Sequence, residues 1–476
     1  MSRDENKAAG KALIIDVDGS LLKTDMLLES FWAAMGRHPW LCLLAVLRLI
    51  FHKAALKKRL AELAALDVAL LPVRTEVSAL GKKAQDAGRV VVLASGSDRV
   101  LVAKLAAKAG FEAAPMASDG QINLTGAKKA QALAARFGVN GFDYVGDSRA
   151  DIPVWQAAAE GYIVAAGSRL KNRVQKAGLT LTPLGAPPPP LALLKAMRPY
   201  QWVKNVLLFM PLFAAHRFDM AGFGLAFWGI AVFSAAASSI YIVNDLMDLA
   251  ADRQHPTKRH RPFAAGDATI TSGMGLMLVL GAVALAGSAA HSWQLASIIA
   301  LYMVLSLSYS MGLKRLRWVD ISVLAALYTL RVIAGSVAVG VPMSGWLGAF
   351  VFPVFLALGA VKRLIELGKA SDEAKVPGRG YARSDREDLR NIGITASVGA
   401  IVVYLLYTYS EIAVSLYQNL FEIRVAALTV ALWLGRMIYR GWQGRMDYDP
   451  IVFALRDPIG LALMAAGAFL LVHAAV

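Results

Sequence analysis

The chain has 476 residues, 57% of them hydrophobic, with a mean hydropathy of +0.50 and a formal charge of +16 at pH 7. A soluble globular protein is about 45–50% apolar, so much of this chain must lie in lipid, and in a membrane protein a surplus of Lys and Arg belongs to cytoplasmic loops rather than to nucleic acid. The single cysteine, Cys42, excludes a disulfide framework and a Cys-based metal site.

The opening MSRDENKAAGK is polar and has no apolar signal-peptide core, so residues 1–182 are expected to stay in the cytoplasm. Up to residue 182 the runs LIIDVD, VVVLAS and FDYVGD alternate with Ala/Leu/Lys-rich stretches, the pattern of an α/β domain whose parallel sheet is covered by helices. Between the first two runs, PWLCLLAVLRLIF (39–51) is apolar but interrupted by Arg48 and too short to span a bilayer. Followed by HKAALKKR, it reads either as an interfacial helix with basic residues toward anionic headgroups or as a buried helix of the α/β domain. PLGAPPPP (183–190) cannot join a sheet or helix interior, which makes residues 183–196 a linker.

From residue 197 to 476, apolar stretches recur at bilayer-spanning length. Nine are expected, at 202–216, 220–243, 271–290, 292–310, 319–341, 344–362, 392–416, 421–438 and 451–475. Cations fall in alternate loops: Arg253, Lys258, Arg259 and Arg261; Lys314, Arg315 and Arg317; eight between Lys362 and Arg390; then Arg440 and Arg445. By the positive-inside bias these loops face the cytoplasm, placing the chain in the cytoplasmic (inner) membrane with its C-terminus outside.

Three strand ends in the α/β domain carry chemistry, because open sheets bind ligands at the carboxyl ends of their strands. Asp16 and Asp18 end the first run, Ser95 the second, and Asp147 and Asp151 follow the third, with Lys128 and Lys129 between the last two. In this order they resemble the haloacid dehalogenase superfamily of phosphohydrolases, a Rossmann-like fold with a helical cap, here residues 21–90. The resemblance implies that Asp16 attacks phosphorus, that Asp18 protonates the leaving oxygen and then activates water, and that Ser95 and Lys129 hold the phosphoryl group. It also implies Mg²⁺ on Asp16 and Asp147, with Asp151 in support. Ser20 stands where the family more often has Thr.

The second apolar stretch ends in IYIVNDLMDLAADRQHPTKRHRP. Asn244, Asp248 and Asp252 are spaced i, i+4, i+8, and Asp245 precedes Asp248 by three, so one helical face gathers all four. Carboxylates clustered at a membrane edge repel unless a metal lies between them, and Mg²⁺ takes one or two carboxylates plus substrate phosphates. Arg253, Lys258 and Arg261 are placed to meet the remaining phosphate charge.

NDxxDxxxD followed by HPTKRHRP resembles the UbiA superfamily of intramembrane transferases, an all-α polytopic fold whose members use Mg²⁺ to activate a diphosphate. A second acidic motif common in that superfamily is replaced here by YSMGLKRLRWVD, with Asp320 its one acid and Lys314, Arg315 and Arg317 as cations. With RPYQWVKN and KRLIEL, this is similar to the branch of decaprenyl-phosphate phosphoribosyltransferases, which implies transfer of 5-phosphoribose from phosphoribosyl pyrophosphate to a polyprenyl phosphate. Asp245 and Asp248 would act on the donor diphosphate. Lys204, Lys314 and Lys362 would position the lipid phosphate, and the intramembrane Arg331 a donor phosphate. Asp457 sits beside Arg456 and reads either as a functional charge or as half of a structural ion pair. Two other readings are a prenyl transfer from a prenyl diphosphate to an aromatic or other small acceptor, and an inactive phosphatase domain regulating a membrane scaffold.

Overall fold

The computed structural model of the chain describes residues 11–119, 124–368, 380–446 and 449–475. The polar opening stretch and the loop cations Lys369, Lys375 and Arg379 lie outside them. The chain divides into two compact units, Met1–Arg198 with Tyr241–Leu278, and Pro199–Ile240 with Val279–Val476. The Asp-rich stretch therefore belongs to the first unit, not to the unit that holds most of the apolar helices.

In the first unit, β1 (Ala12–Asp16), β2 (Val91–Asp98), β3 (Met116–Ser118), β4 (Phe142–Gly146), β5 (Gly161–Val164) and β6 (Thr182–Leu184) form one sheet in the order β3-β2-β1-β4-β5-β6. All neighbours are parallel. β1 is fully buried, as its apolar sequence requires of a strand covered on both faces, and it lies between β2 and β4, with Ile15 level with Leu93 and Val145. Three of the strand ends that carry chemistry therefore sit side by side.

A helical insert follows β1, and it is shorter than the expected 21–90. Leu22 and Val73 pair in an antiparallel bridge that closes its neck. Helices Met26–Arg37, Pro39–Leu49 and Lys53–Ala64 share a small core of Ala34, Cys42, Leu60 and Ala64. Helix Thr75–Asp86 instead returns to the sheet, where Val77 and Ala84 pack with Leu13, Ile15 and Val91.

Among the described residues, seven helices are long and apolar enough to cross a membrane, rather than nine: Met220–Met247, Ile270–His291, Trp293–Met311, Val319–Val339, Gly345–Gly368, Arg383–Tyr407 and Pro458–Ala475. The expected span at 202–216 is a 3-10 segment, Pro199–Phe209, and a short helix, Met210–Ala214, with Pro211 lacking the donor that one continuous helix would use there. Helix Leu420–Trp442 has the length but carries Glu422, Arg424, Arg436 and Arg440. The stretch 392–416 breaks before Ser410, which caps Glu411–Leu416, and the last stretch breaks at Pro458.

The second unit buries a charge at its centre. Arg363 is 1% exposed and donates through Nη2 to Asp320 Oδ1 at 2.9 Å and to Tyr309 Oη at 2.8 Å, with Glu366 as a further partner. Replacing Arg363 by Met should strand the Asp320 carboxylate and cost about 3–5 kcal/mol, read as a fall in the thermal midpoint in detergent. Adding Asp320→Asn to that variant should recover much of the loss; equal midpoints for the single and double variants would show that the pair contributes nothing.

Candidate functional sites

At the carboxyl ends of β1, β2 and β4 a single lysine holds a cluster of acids together. Lys129 Nζ lies 2.6 Å from Asp16 Oδ1 and 3.6 Å from Asp151 Oδ1, and donates to Tyr144 Oη at 3.0 Å. Tyr144 passes a hydrogen bond on to Asp151 at 2.7 Å. Lys129 is buried and Lys128 exposed, so the first of the two reaches the site. Ser20 Oγ bridges Asp16 at 3.3 Å and Asp147 at 3.2 Å. The turn between them is tight: Gly19 has φ +79°, and a Cβ there would collide with the Asp147 carboxylate.

Asp16, Asp147 and Asp151 present oxygens within 4.8 Å of one another, the only such acidic triplet among the described residues. Burial, with Asp151 adding to it, pushes the Asp147 carboxyl up to about 7. Burial also raises Asp16 well above the usual range, although Lys129 opposes this. For Lys129 itself burial favours the neutral amine, but Asp16 and Asp151 outweigh it and hold the ammonium. One lysine against three acids leaves negative charge that a hard, oxygen-preferring divalent cation fits.

Asp18 is held separately. Its Oδ2 accepts from Ser95 Oγ at 2.8 Å and from Ser97 Oγ at 2.7 Å, and its Oδ1 from Met26 N–H at 2.8 Å. Ser97 was not anticipated, though the second hydroxyl of ASGS was visible two residues after the first. Both acids open onto a cavity of about 380 Å³ that Lys23, Lys57, Thr269, Ile270 and Thr271 also line. Lys57, from the insert, donates to Gly96 O at 2.6 Å. Burial lowers its ammonium pKa against the pull of Asp18 and Asp25.

The Asp-rich stretch keeps its helical ladder, with Asp248 N–H donating to Asn244 O at 3.0 Å and Asp252 N–H to Asp248 O at 2.8 Å. Helix Met220–Met247 nevertheless ends before Asp248, and Leu249–Gln254 begins after it. Arg261 Nη1 joins Asp245 at 3.1 Å and Asp252 at 2.7 Å, and Arg198 also pairs with Asp245. Burial raises the Asp252 carboxyl, with Arg261 opposing. Asn244 Oδ1 is buried with no hydrogen-bond partner, so a cation bound beside these acids would satisfy an orphaned oxygen. Arg253 turns elsewhere: it makes two bonds to Glu29, at 2.6 and 3.0 Å, and one to Ala264 O. Lys258 is exposed in the turn Lys258–His260.

In the second unit Asp449, which the sequence did not single out, collects two of the expected phosphate ligands. Lys204 lies 2.8 Å and Lys362 3.2 Å from its Oδ2. Burial alone would raise the Asp449 carboxyl, but these two ammonium groups hold it well below the usual range. Arg331 donates to Asn205 Oδ1 at 3.1 Å, Leu327 O at 2.7 Å and Tyr302 Oη at 3.3 Å, over the rings of Phe233, Tyr302 and Tyr328. Lys314 is half-buried in the turn Leu313–Arg315, while Asp320 is directed to Arg363. Asp457 pairs not with the adjacent Arg456 but with Arg436, through two bonds of 2.7 Å.

Residues 205–457 match the UbiA prenyltransferase family. The uncharacterized protein y4nM of Sinorhizobium fredii is 34% identical over 468 residues, covering 96% of this chain and 90% of that protein. A decaprenyl-phosphate phosphoribosyltransferase of Mycobacterium tuberculosis is 33% identical over 59% of this chain and 93% of its own length. A UbiA homolog from Archaeoglobus fulgidus solved with DMAPP and Mg²⁺ is 14% identical, with a TM-score of 0.45 over 59% of this chain and 98% of its own. The chain belongs to the UbiA prenyltransferase family, as a multi-pass membrane protein that also carries a parallel α/β domain.

Proposed function

We propose that the chain transfers 5-phosphoribose from phosphoribosyl pyrophosphate to a polyprenyl phosphate, and that its α/β domain then removes the 5-phosphate from the lipid-linked product. The observation that carries the first step is the likeness to a decaprenyl-phosphate phosphoribosyltransferase over 93% of that enzyme's length. A second supports it: Asp320, the one acid of the second motif, is taken up by Arg363 and Tyr309 and leaves that region cationic.

In this reading Asn244, Asp245, Asp248 and Asp252 hold Mg²⁺, which when bound neutralises the leaving diphosphate. Arg198 and Arg261, already against Asp245, are within reach of the same charge. The acceptor is an anionic phosphate and needs positioning more than a base, the role given to Lys204, Lys362 and Lys314. The cation-rich loops that carry Lys258 and Lys314 support a reaction on the cytoplasmic face of the inner membrane.

For the second step, Asp16 attacks phosphorus as the bond to the ribose 5-oxygen breaks, and Asp18, oriented by Ser95, Ser97 and Met26 N–H, gives its proton to that leaving oxygen. Asp18 then activates the water that hydrolyses the aspartyl-phosphate to free phosphate. Lys129 receives the phosphoryl charge, and Asp16, Asp147 and Asp151 hold Mg²⁺. The product carries a second phosphate, the diester to the lipid, and Lys23 and Lys57 supply cavity-lining cations for it.

Membranes containing the protein, given Mg²⁺, labelled phosphoribosyl pyrophosphate and polyprenyl phosphate, should form a labelled lipid. Asp245→Asn or Asp248→Asn should slow this by roughly 100-fold or more in a folded protein. An aromatic product from a prenyl diphosphate, with no ribosylated lipid, would overturn the assignment. Asp16→Asn should stop phosphate release from the ribosylated lipid while transfer continues at the wild-type rate; loss of both activities in a folded variant would refute independent sites. Lys57→Ala should raise KM for the lipid-linked monoester and spare hydrolysis of ribose 5-phosphate, whereas equal effects on the two substrates would remove Lys57 from recognition.

A further inference from the structure

The three-helix insert carries a surface that neither reaction uses. In helix Pro39–Leu49, Cys42 and Ala45 turn inward, and Cys42 packs in the small core with Ala34, Leu60 and Ala64. The opposite face is bare: Trp40 is 80% exposed, Leu47 77% and Phe51 92%, with Leu43, Leu44 and Ile50 also exposed. Positions 40, 43, 44 and 47 recur at the spacing of one helical stripe, and residues 50 and 51 continue it past the helix end. A patch of this kind marks a place where water is meant to be excluded.

Its surroundings are of one sign. From Glu29 to Glu62 the intervening sequence holds six cations, Arg37, Arg48, Lys53, Lys57, Lys58 and Arg59, and no acid. Arg48, Lys53 and Lys58 are exposed around the stripe. A second copy of the chain meeting this face about a two-fold axis would set like charges together, whereas an anionic lipid surface satisfies the stripe and the cations at once. Eleven residues of helix measure about 16 Å, half the roughly 30 Å of a bilayer core, so the segment lies along the surface rather than through it.

We propose that helix Pro39–Leu49 and the turn after it rest in the interface of an anionic bilayer, with Trp40, Leu47 and Phe51 at the acyl boundary and Arg48, Lys53 and Lys58 against lipid phosphates. The insert that carries Lys57 to the phosphatase cavity is then held at the lipid surface, where a lipid-linked monoester need not leave the membrane to be hydrolysed. The membrane contact rests on this face alone and stands whether or not that substrate is the right one.

The test uses the full chain in lipid nanodiscs, with Cys42→Ala removing the native thiol and Leu47→Cys carrying a polarity-sensitive fluorophore. Glu112→Cys, exposed on the α/β domain, is the control. In discs containing anionic lipid the Leu47→Cys label should emit at shorter wavelength than the control and be quenched several-fold more by lipids spin-labelled just below the headgroup. Replacing the anionic lipid by phosphatidylcholine, or introducing Lys53→Glu with Lys58→Glu, should weaken that quenching. Water-like emission with quenching at the control's level would overturn the proposal, as would energy transfer between two labelled copies in place of lipid quenching.

Discussion

A carboxylate taken out of water has to be met by a cation or by several hydrogen-bond donors, and every site in this protein is organised around that requirement. Asp16 and Asp151 share Lys129, Asp245 and Asp252 share Arg261, Asp320 is held by Arg363, and Lys204 and Lys362 converge on Asp449. The balance differs from place to place. Asp320 meets Arg363 and the Tyr309 hydroxyl, which gives a structural pair. At the strand ends three acids outnumber one lysine, and the raised carboxyl groups of Asp16 and Asp147 express the excess. Such an excess is costly unless a ligand removes it, which is why perturbed acids mark functional sites more reliably than paired ones.

Two bonds from Arg253 to Glu29 tie the Asp-rich stretch to the helical insert within the first unit. Both partners are buried, so the pair is shielded from water and resists separation; Thr24 Oγ1, 2.7 Å from Glu29 Oε1, fixes the acid from the other side. The same neighbourhood brings Thr269, Ile270 and Thr271 to the cavity that Asp16 and Asp18 face. The segment that follows the Asp-rich acids thus forms part of the wall of the cavity that Asp16 and Asp18 line. Chemistry proposed for one chain segment and the cavity proposed for another share a boundary.

The membrane helices are organised by the same rule in a drier setting. Asp457, one residue before the last span, accepts two bonds from Arg436, and Arg331 is enclosed by Asn205, Tyr302 and three aromatic rings. Those charges keep helix Leu420–Trp442 less apolar than its neighbours, and they explain why hydropathy alone overcounts or undercounts such elements. An arginine that pairs across a helix contact is polar to a hydropathy scale and satisfied in the fold.

What the sequence by itself determined is local in origin. The apolar runs LIIDVD, VVVLAS and FDYVGD became β1, β2 and β4 because alternating β-branched segments between helical stretches can only bury their backbone as parallel strands, and Asp16, Asp18 and Asp147 follow from their positions at the ends of β1 and β4, while Ser95 lies inside β2, which runs on to Asp98. The spacing of Asn244, Asp245, Asp248 and Asp252, and the length of most apolar spans, were equally legible. Only the tertiary structure decided the partners: Lys129 rather than Lys128 for Asp16, Glu29 for Arg253 across 224 residues, Asp449 for Lys204 across 245, and Arg436 rather than the neighbouring Arg456 for Asp457. It also decided that helix Pro39–Leu49 turns its apolar stripe outward. Periodicity specifies which face of an element is apolar, but which distant charge or core that face meets is set by packing, and no pattern within a few turns of chain contains that information.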